Sequence, residues 1–247
     1  MDFSKLFHQS SKDLTGGGTV HIPKDPNEWP DEWKQVQYKT YATLPRVSLP
    51  APESDLLSLT IKGRKSVRDY APTPVDLEKL SLLLKFSCGE IGGTIDGARK
   101  RRAQPSGGGM FPLELYVLIF RASPELPAGV YHYAVSGHEL EFLLRREFTR
   151  EEIDTLYAYP WVADAGGVFV ITGVFDRTQK KYGERGYRYA SLEAGHVGQN
   201  IYILSSALGV GCCSVAGSHD EKIERLLDID GVTESVLYSI AFGNLQH

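Results

Sequence analysis

Nine consecutive residues, Gly167 to Phe175, run GVFVITGVF and are apolar almost without a break. Successive side chains of a strand point to opposite faces, so a run that is apolar at both parities suits a central strand buried on both sides. The rest of the sequence is therefore read for elements that pair with this strand and cover it.

The longest helix is expected from about Arg188 to Leu208, where Val197, Ile201, Leu204 and Leu208 form one apolar stripe. Glu193, His196 and Asn200 border that stripe and should be partly buried, and Gly209 and Gly211 close the helix. A short helix over 54–61, a longer one after Pro74 and another over 220–227 are also expected. The second carries Asp76 in its first turn and Leu77, Leu80 and Leu84 on one face. Strands are expected at 114–121, 129–134, 139–145 and 235–242, with a further short segment from Cys212 to Ala216. The pair 129–134 and 139–145, separated by Ser136-Gly137, reads as a hairpin. Residues 89–110 are rich in Gly and Arg and read as a loop. Strands and helices mix without strict alternation and without a repeat, which gives the α+β class.

Residues 1–53 read as an N-terminal arm and residues 54–247 as one domain. The arm holds Gly16-Gly17-Gly18 but also Trp29, Trp33, Tyr38 and Tyr41. So many aromatics are unusual in a disordered tail, so part of the arm is expected to dock, with a second subunit among the available surfaces.

Charge excludes one class of partner. Lys and Arg total 27 against 31 acidic residues, a formal net charge of −4, whereas nucleic acid calls for a clustered basic surface. The local run Arg99-Lys100-Arg101-Arg102 reads as a solvated loop. Cys88, Cys212 and Cys213 are odd in number and two are adjacent, a poor disulfide framework and no zinc pattern. No run approaches the roughly 20 apolar residues of a membrane span. These features lead to the expectation of a soluble, cytoplasmic protein.

Three stretches carry candidate chemistry. In Arg64-Lys65-Ser66-Val67-Arg68, an extended backbone would put Arg64, Ser66 and Arg68 on one face at steps of about 6.6 Å. Two guanidiniums around a hydroxyl suit a phosphate or an electron-rich ring edge, and the same residues also suit an exposed basic turn. In Pro105-Ser106-Gly107-Gly108-Gly109, glycines permit close backbone approach to a flat or anionic ligand, as they also permit a flexible loop. No dinucleotide or Walker fingerprint is present. The third stretch, Lys180 to Tyr189, leads into Glu193-Ala194-Gly195-His196 and Gln199-Asn200. A tyrosine, with an ordinary pKa near ~10, becomes a usable base when an ammonium sits beside it, and a lysine when it is buried. Adjacent residues on a helix do not face one another, so Lys181 and Tyr182 share a substrate only where the backbone is irregular, as Gly183 allows. A charged connection that merely caps the long helix has the same composition.

Taken together, these stretches resemble the nitroreductase superfamily. RKSVRDY (64–70), RRAQPSGGGMFPLE (101–114), residues 181–200 and LGVGCCSVAG (208–217) carry the resemblance, as does the opening FHQSSK (7–12). They look most like the branch of streptolysin-type and cyanobactin peptide dehydrogenases. That resemblance implies a three-layer sandwich, a mixed and mostly antiparallel central sheet flanked by helices. It implies a homodimer with FMN at its interface. Arg64 and Ser66 would contact the FMN phosphate or ribityl chain and Arg68 the pyrimidine edge. Pro105, Ser106 and Gly107 would lie on the flavin from the other subunit, and Gly217 would offer its N–H to flavin N5. Lys181 and Tyr182 would be the acid/base pair in oxidising thiazolines or oxazolines of a ribosomal peptide, with a cyclase as a further partner. The sequence departs from many nitroreductases at Ala216, often acidic there, and in stopping shortly after its last strand. An NAD(P)H-dependent nitro, quinone or ene reductase, and a noncatalytic flavin-binding scaffold, are the competing readings.

Overall fold

The structure, a computed structural model, describes residues 3–12, 25–36, 38–40 and 42–246. Its helices and strands are α1 (Phe3–Ser11), α2 (Asp31–Lys34), α3 (Leu56–Gly63), α4 (Leu77–Cys88), β1 (Glu90–Thr94), β2 (Lys100–Arg102), β3 (Leu113–Ile119), β4 (Gly129–Ala134) and β5 (Glu139–Arg145). They continue with α5 (Arg150–Leu156), β6 (Gly167–Val174), α6 (Asp176–Tyr182), α7 (Arg185–Leu208), β7 (Val210–Val215), α8 (Asp220–Leu227) and β8 (Glu234–Asn244).

The apolar run forms β6 and lies inside a sheet of order β5-β4-β3-β6-β8-β7. Seven residue pairs join β3 to β6, from Leu113↔Gly173 to Ile119↔Gly167, and β8 pairs along the other side. Every pairing between the described strands is antiparallel, in keeping with the mostly antiparallel sheet expected. The β1–β2 hairpin stands apart from the main sheet.

Strand parity divides the core. Leu115 and Val117 of β3 and Phe169 and Ile171 of β6 face one layer, with Leu80 and Leu84 of α4 and Val197 and Ile201 of α7. Leu118, Val168 and Val170 face the other, with Ile153 of α5 and Ile223 and Leu227 of α8. Helices thus cover both faces, giving the three-layer α+β sandwich. Reciprocal caps start two helices: Asp55 with Ser58 for α3, and Thr149 with Glu152 for α5.

Several sequence expectations shift. The 89–110 loop contains β1, β2 and a 3₁₀ turn at Gly107–Gly109. The long helix begins at Arg185, and His196 is exposed although Glu193 beside the stripe is buried. Gly211 lies inside β7, while Gly209 closes α7 in the left-handed region. Leu77 points outward at 39% exposure, and Leu80, Leu83 and Leu84 make the buried face of α4.

The N-terminal residues dock on their own chain. His8 on α1 hydrogen-bonds Tyr187 Oη at 3.0 Å and Ser235 Oγ at 2.7 Å, and Lys12 reaches Glu224 at 2.7 Å. Burial lowers the His8 pKa to about 4. Trp33 and Tyr38, expected to anchor the arm, are exposed, and Gly16 to Gly18 and Tyr41 fall outside the described residues. No helix among the described residues is long and apolar enough to cross a membrane.

Candidate active site

The first half of the site follows α3. Beyond Gly63 the backbone extends, and Val67 N–H donates to Cys212 O at 2.9 Å, laying residues 64–68 along β7. Ser66 Oγ lies 3.2 Å from Tyr202 Oη on α7, and the Arg64 guanidinium sits 5.4 Å from the centre of the same ring. Tyr202 Oη accepts from Ser214 N–H at 2.8 Å, which fixes the ring beneath Arg64. Arg68 sits 5.9 Å from the centre of the Trp161 ring, which stacks with Tyr159 at 6.0 Å. Gly217 completes this half: a Cβ there would come within 2.8 Å of the Tyr159 ring. Neither Arg64 nor Arg68 forms an ion pair among the described residues. Two guanidiniums without ion-pair partners and an exposed hydroxyl form a donor set suited to an anion.

The second half lies at the end of α6. The helix stops at Tyr182 because Gly183 takes φ 57° and ψ −145°, and α7 starts two residues later. That break is the irregularity adjacent residues need to act together. The Lys181 ammonium lies 5.3 Å from the centre of the Tyr182 ring. Both approach the 3₁₀ turn after Pro105 and Ser106: a Cβ on Gly108 would be 3.0 Å from Lys181 Nζ and would collide with Tyr182 Oη. Gly108 has φ 63°, so it satisfies both the turn and the close approach. Gly107 packs on Tyr189, whose ring meets that of Tyr182 edge-on at 5.1 Å. Ser106 Oγ accepts from Phe111 N–H at 2.9 Å and pins the turn.

Residues 61–244 match the Nitroreductase family. The chain belongs to that family. It is 33% identical over 183 residues to nitroreductase MJ1384 of Methanocaldococcus jannaschii, covering 74% of this chain and 89% of that protein. It is 27% identical to the trifolitoxin-processing protein TfxB of Rhizobium leguminosarum bv. trifolii, over 67% of this chain and 46% of TfxB. It is also 27% identical to the microcin B17-processing protein McbC of Escherichia coli, over 61% of this chain and 57% of McbC. The match thus spans about half the length of each of these two processing proteins. Among solved structures, a chain of the E. coli microcin synthetase McbBCD complex superimposes with TM-score 0.76 at 18% identity, over 99% of this chain and 92% of that one. A nitroreductase from Anabaena variabilis gives 0.65 at 27% identity, over 77% of this chain and 38% of that one.

In this nitroreductase-family chain, no hydrogen bond, ion pair or ring contact joins the Arg64–Ser66–Arg68 set to the Pro105–Gly109 set among the described residues. The structure thus groups Arg64, Ser66, Arg68 and Gly217 on one side and Pro105, Ser106, Gly107, Lys181 and Tyr182 on the other. Sequence reasoning missed the rings beneath the cations, Tyr202 and Trp161. Tyr202 could have been found as the aromatic one position after Ile201 of the α7 stripe, and Trp161 carries no comparable signal. It also missed the depth of Glu193. That carboxyl is 2% exposed and accepts from Gln104 Nε2 at 3.1 Å, and burial raises its pKa against Ser106, Gln104 and Arg102. Cys212 and Cys213 are buried in β7, where burial pushes the Cys212 thiol up to about 11.

Proposed function

We propose that this nitroreductase-family oxidoreductase is an FMN-dependent dehydrogenase that oxidises thiazoline or oxazoline rings of a ribosomal peptide to azoles. The observation that carries the reading is the convergence of Lys181 Nζ and Tyr182 Oη on the Gly108 turn. The likeness to TfxB and McbC, both named for processing a product, supports it. In this reading Arg64 and Ser66 hold the FMN phosphate or ribityl chain, and Arg68 the pyrimidine edge. Gly217 presents its N–H to N5, and Pro105, Ser106 and Gly107 of the partner subunit lie on the ring. The lack of any recorded contact between the two half-sets within one chain fits a site completed by a second copy. The protein then works as a cytoplasmic homodimer, with a cyclase as partner and residues 1–53 as an arm on the 54–247 domain.

Bound FMN supplies the two-electron acceptor. The chain's own task is the proton. Tyr182, next to the Lys181 ammonium, takes the carbon-bound proton of the azoline while the neighbouring carbon gives up hydride. Gly108 lets the substrate-facing turn approach both groups.

A second reading, an NAD(P)H-dependent reductase, is favoured by the 33% identity to MJ1384. The test is an absorption spectrum of the purified protein, then anaerobic NADPH, then a synthetic thiazoline peptide. The dehydrogenase keeps its flavin bands with NADPH and loses them with thiazoline. Tyr182→Phe and Lys181→Ala should retain flavin and slow that bleaching by about 10²-fold or more. Rapid bleaching by NADPH selects the reductase. No flavin after FMN is added removes both readings, and unchanged rates in both variants move catalysis elsewhere.

A further inference from the structure

The formal net charge of the chain is −4, yet one groove beside the candidate pair is basic. It is about 660 Å³ in volume, lies between the β1–β2 hairpin and the Gly107–Gly109 turn, and is lined by Arg99, Arg101, Arg102 and Lys181. No acidic residue lines it. Arg99 is partly engaged, bridging to Asp96 at 2.8 Å and donating to Gly108 O at 2.7 Å. Arg101, Arg102 and Lys181 form no ion pair among the described residues. Arg102 packs its guanidinium 4.8 Å from the Phe111 ring centre, and its Nη1, like Gln104 Oε1 and Glu193 Oε2, is buried without a hydrogen-bond partner. A groove lined by four cationic side chains and no carboxylate favours an anionic occupant.

We propose that this groove binds a carboxylate-bearing stretch of the substrate peptide and delivers the neighbouring ring to Lys181 and Tyr182. The delivery step rests on the proposed role of that pair; the binding step does not. The four cations come from the turn before β2, from β2 itself and from the end of α6, so they are spread over three elements. An extended peptide presents same-face side chains about every 6.6 Å and meets separated cations in turn. A single phosphate would need them to converge, and Arg64 with Ser66 already offers such a place on the other half-site. Guanidiniums also accept carboxylates through paired N–H donors, which a run of lysines would not.

The experiment uses the FMN-loaded full chain and two fluorescein-labelled peptides, Glu-Gly-Glu-Gly-Glu and Gln-Gly-Gln-Gly-Gln, followed by anisotropy. The acidic peptide should bind about tenfold more tightly, a difference of about 1.4 kcal/mol, with affinity falling as salt rises. Arg101→Gln, an exposed position, should remove about half of that preference on a logarithmic scale, and Arg101→Gln/Arg102→Gln the rest, with FMN content unchanged. Equal binding of the two peptides, or a preference untouched by both variants, overturns the proposal. Loss of FMN in the variants assigns the groove to the cofactor phosphate and overturns it as well. Far-UV circular dichroism of each variant identifies any loss due to unfolding, and the Arg101→Gln protein alone then decides. If the acidic preference stands while Lys181→Ala and Tyr182→Phe keep full turnover, the groove survives and the reading of the pair fails.

Discussion

Lys12→Met should destabilise the fold by about 3 kcal/mol, because it strands a buried carboxylate. Lys12 Nζ donates to Glu224 Oε1 at 2.7 Å, to Glu224 Oε2 at 3.0 Å and to Gly231 O at 2.7 Å. The two side chains are only 5% and 6% exposed, so water does not replace the lost partner. Breaking such a pair costs about 3–5 kcal/mol in general. The lower end applies here because Glu224 keeps two donors, Ser235 Oγ and Val236 N–H at 3.2 Å, and Gly231 O keeps Gln9 Nε2 at 2.7 Å. For a chain of this size the loss corresponds to a fall in Tm of about 6–12 °C. Glu224→Gln added to Lys12→Met removes the stranded charge and should restore about 1–2 kcal/mol, so the two changes are strongly non-additive. The assay is equilibrium urea unfolding at fixed FMN concentration. A Lys12→Met protein within about 1 kcal/mol of the parent, or a double variant at the sum of the singles, would refute the reasoning.

His8 is neutral in the fold, with its pKa lowered by burial to about 4 from 6.5. Its contribution is fully present above pH 6.5 and is lost as pH falls towards 4, up to about 3 kcal/mol, so His8→Gln should flatten the urea midpoint over that window. Burial pushes Cys88 up to about 12 and Cys212 up to about 11, and Cys213 is buried too. Native protein at pH 8 should therefore resist thiol labelling that proceeds at all three cysteines in urea; fast native labelling would contradict the buried β7. A site shared between two copies predicts complementation. Mixed Arg64→Ala and Tyr182→Phe subunits should regain about a quarter of parent turnover after exchange, and no recovery would place both half-sets in one subunit's site.

The parts of the fold that were legible are those in which one local pattern has one physical solution. The nearly unbroken apolar run at 167–174 has no stable place except a strand covered on both faces, and it forms β6. The 129–134 and 139–145 pair, with a short polar turn between, became β4 and β5 with the expected bounds. Asp220–Leu227 also matched its expected bounds. Failures cluster where tertiary contact overrides local pattern. Residues 90–102 carry glycines and charges that read as loop, yet they pair as β1 and β2, with backbone bonding in place of a hydrophobic face. The start of α7 moved to Arg185 because the chain turns at Gly183 rather than after the charged run. Docking of part of the arm was expected, but its partners were beyond sequence reading: His8 reaches Tyr187 and Ser235 across 179 and 227 positions, and no local pattern encodes such pairs.

The candidate site follows the same division, and that explains why its two halves were unequally visible. A short motif such as RKSVR announces charges and a hydroxyl but not what lies beneath them. Tyr202 and Trp161, whose rings lie beside Arg64 and Arg68, come from distant elements. The role proposed for Lys181 and Tyr182 came from the family resemblance; what the sequence itself offered was Gly183, whose departure from helical geometry ends α6 at this pair. Their setting also reaches α1. Gln179 Nε2 donates to Ser4 Oγ at 2.8 Å, Ser4 N–H donates to Glu184 at 2.8 Å, and His8 meets Tyr187. These contacts bracket positions 181 and 182 on both sides, so the N-terminal helix restrains the backbone that presents the proposed acid/base pair. A loss of α1 should then reach the pair through that backbone before it reaches the sheet, whose core packs against α4, α7, α5 and α8 instead.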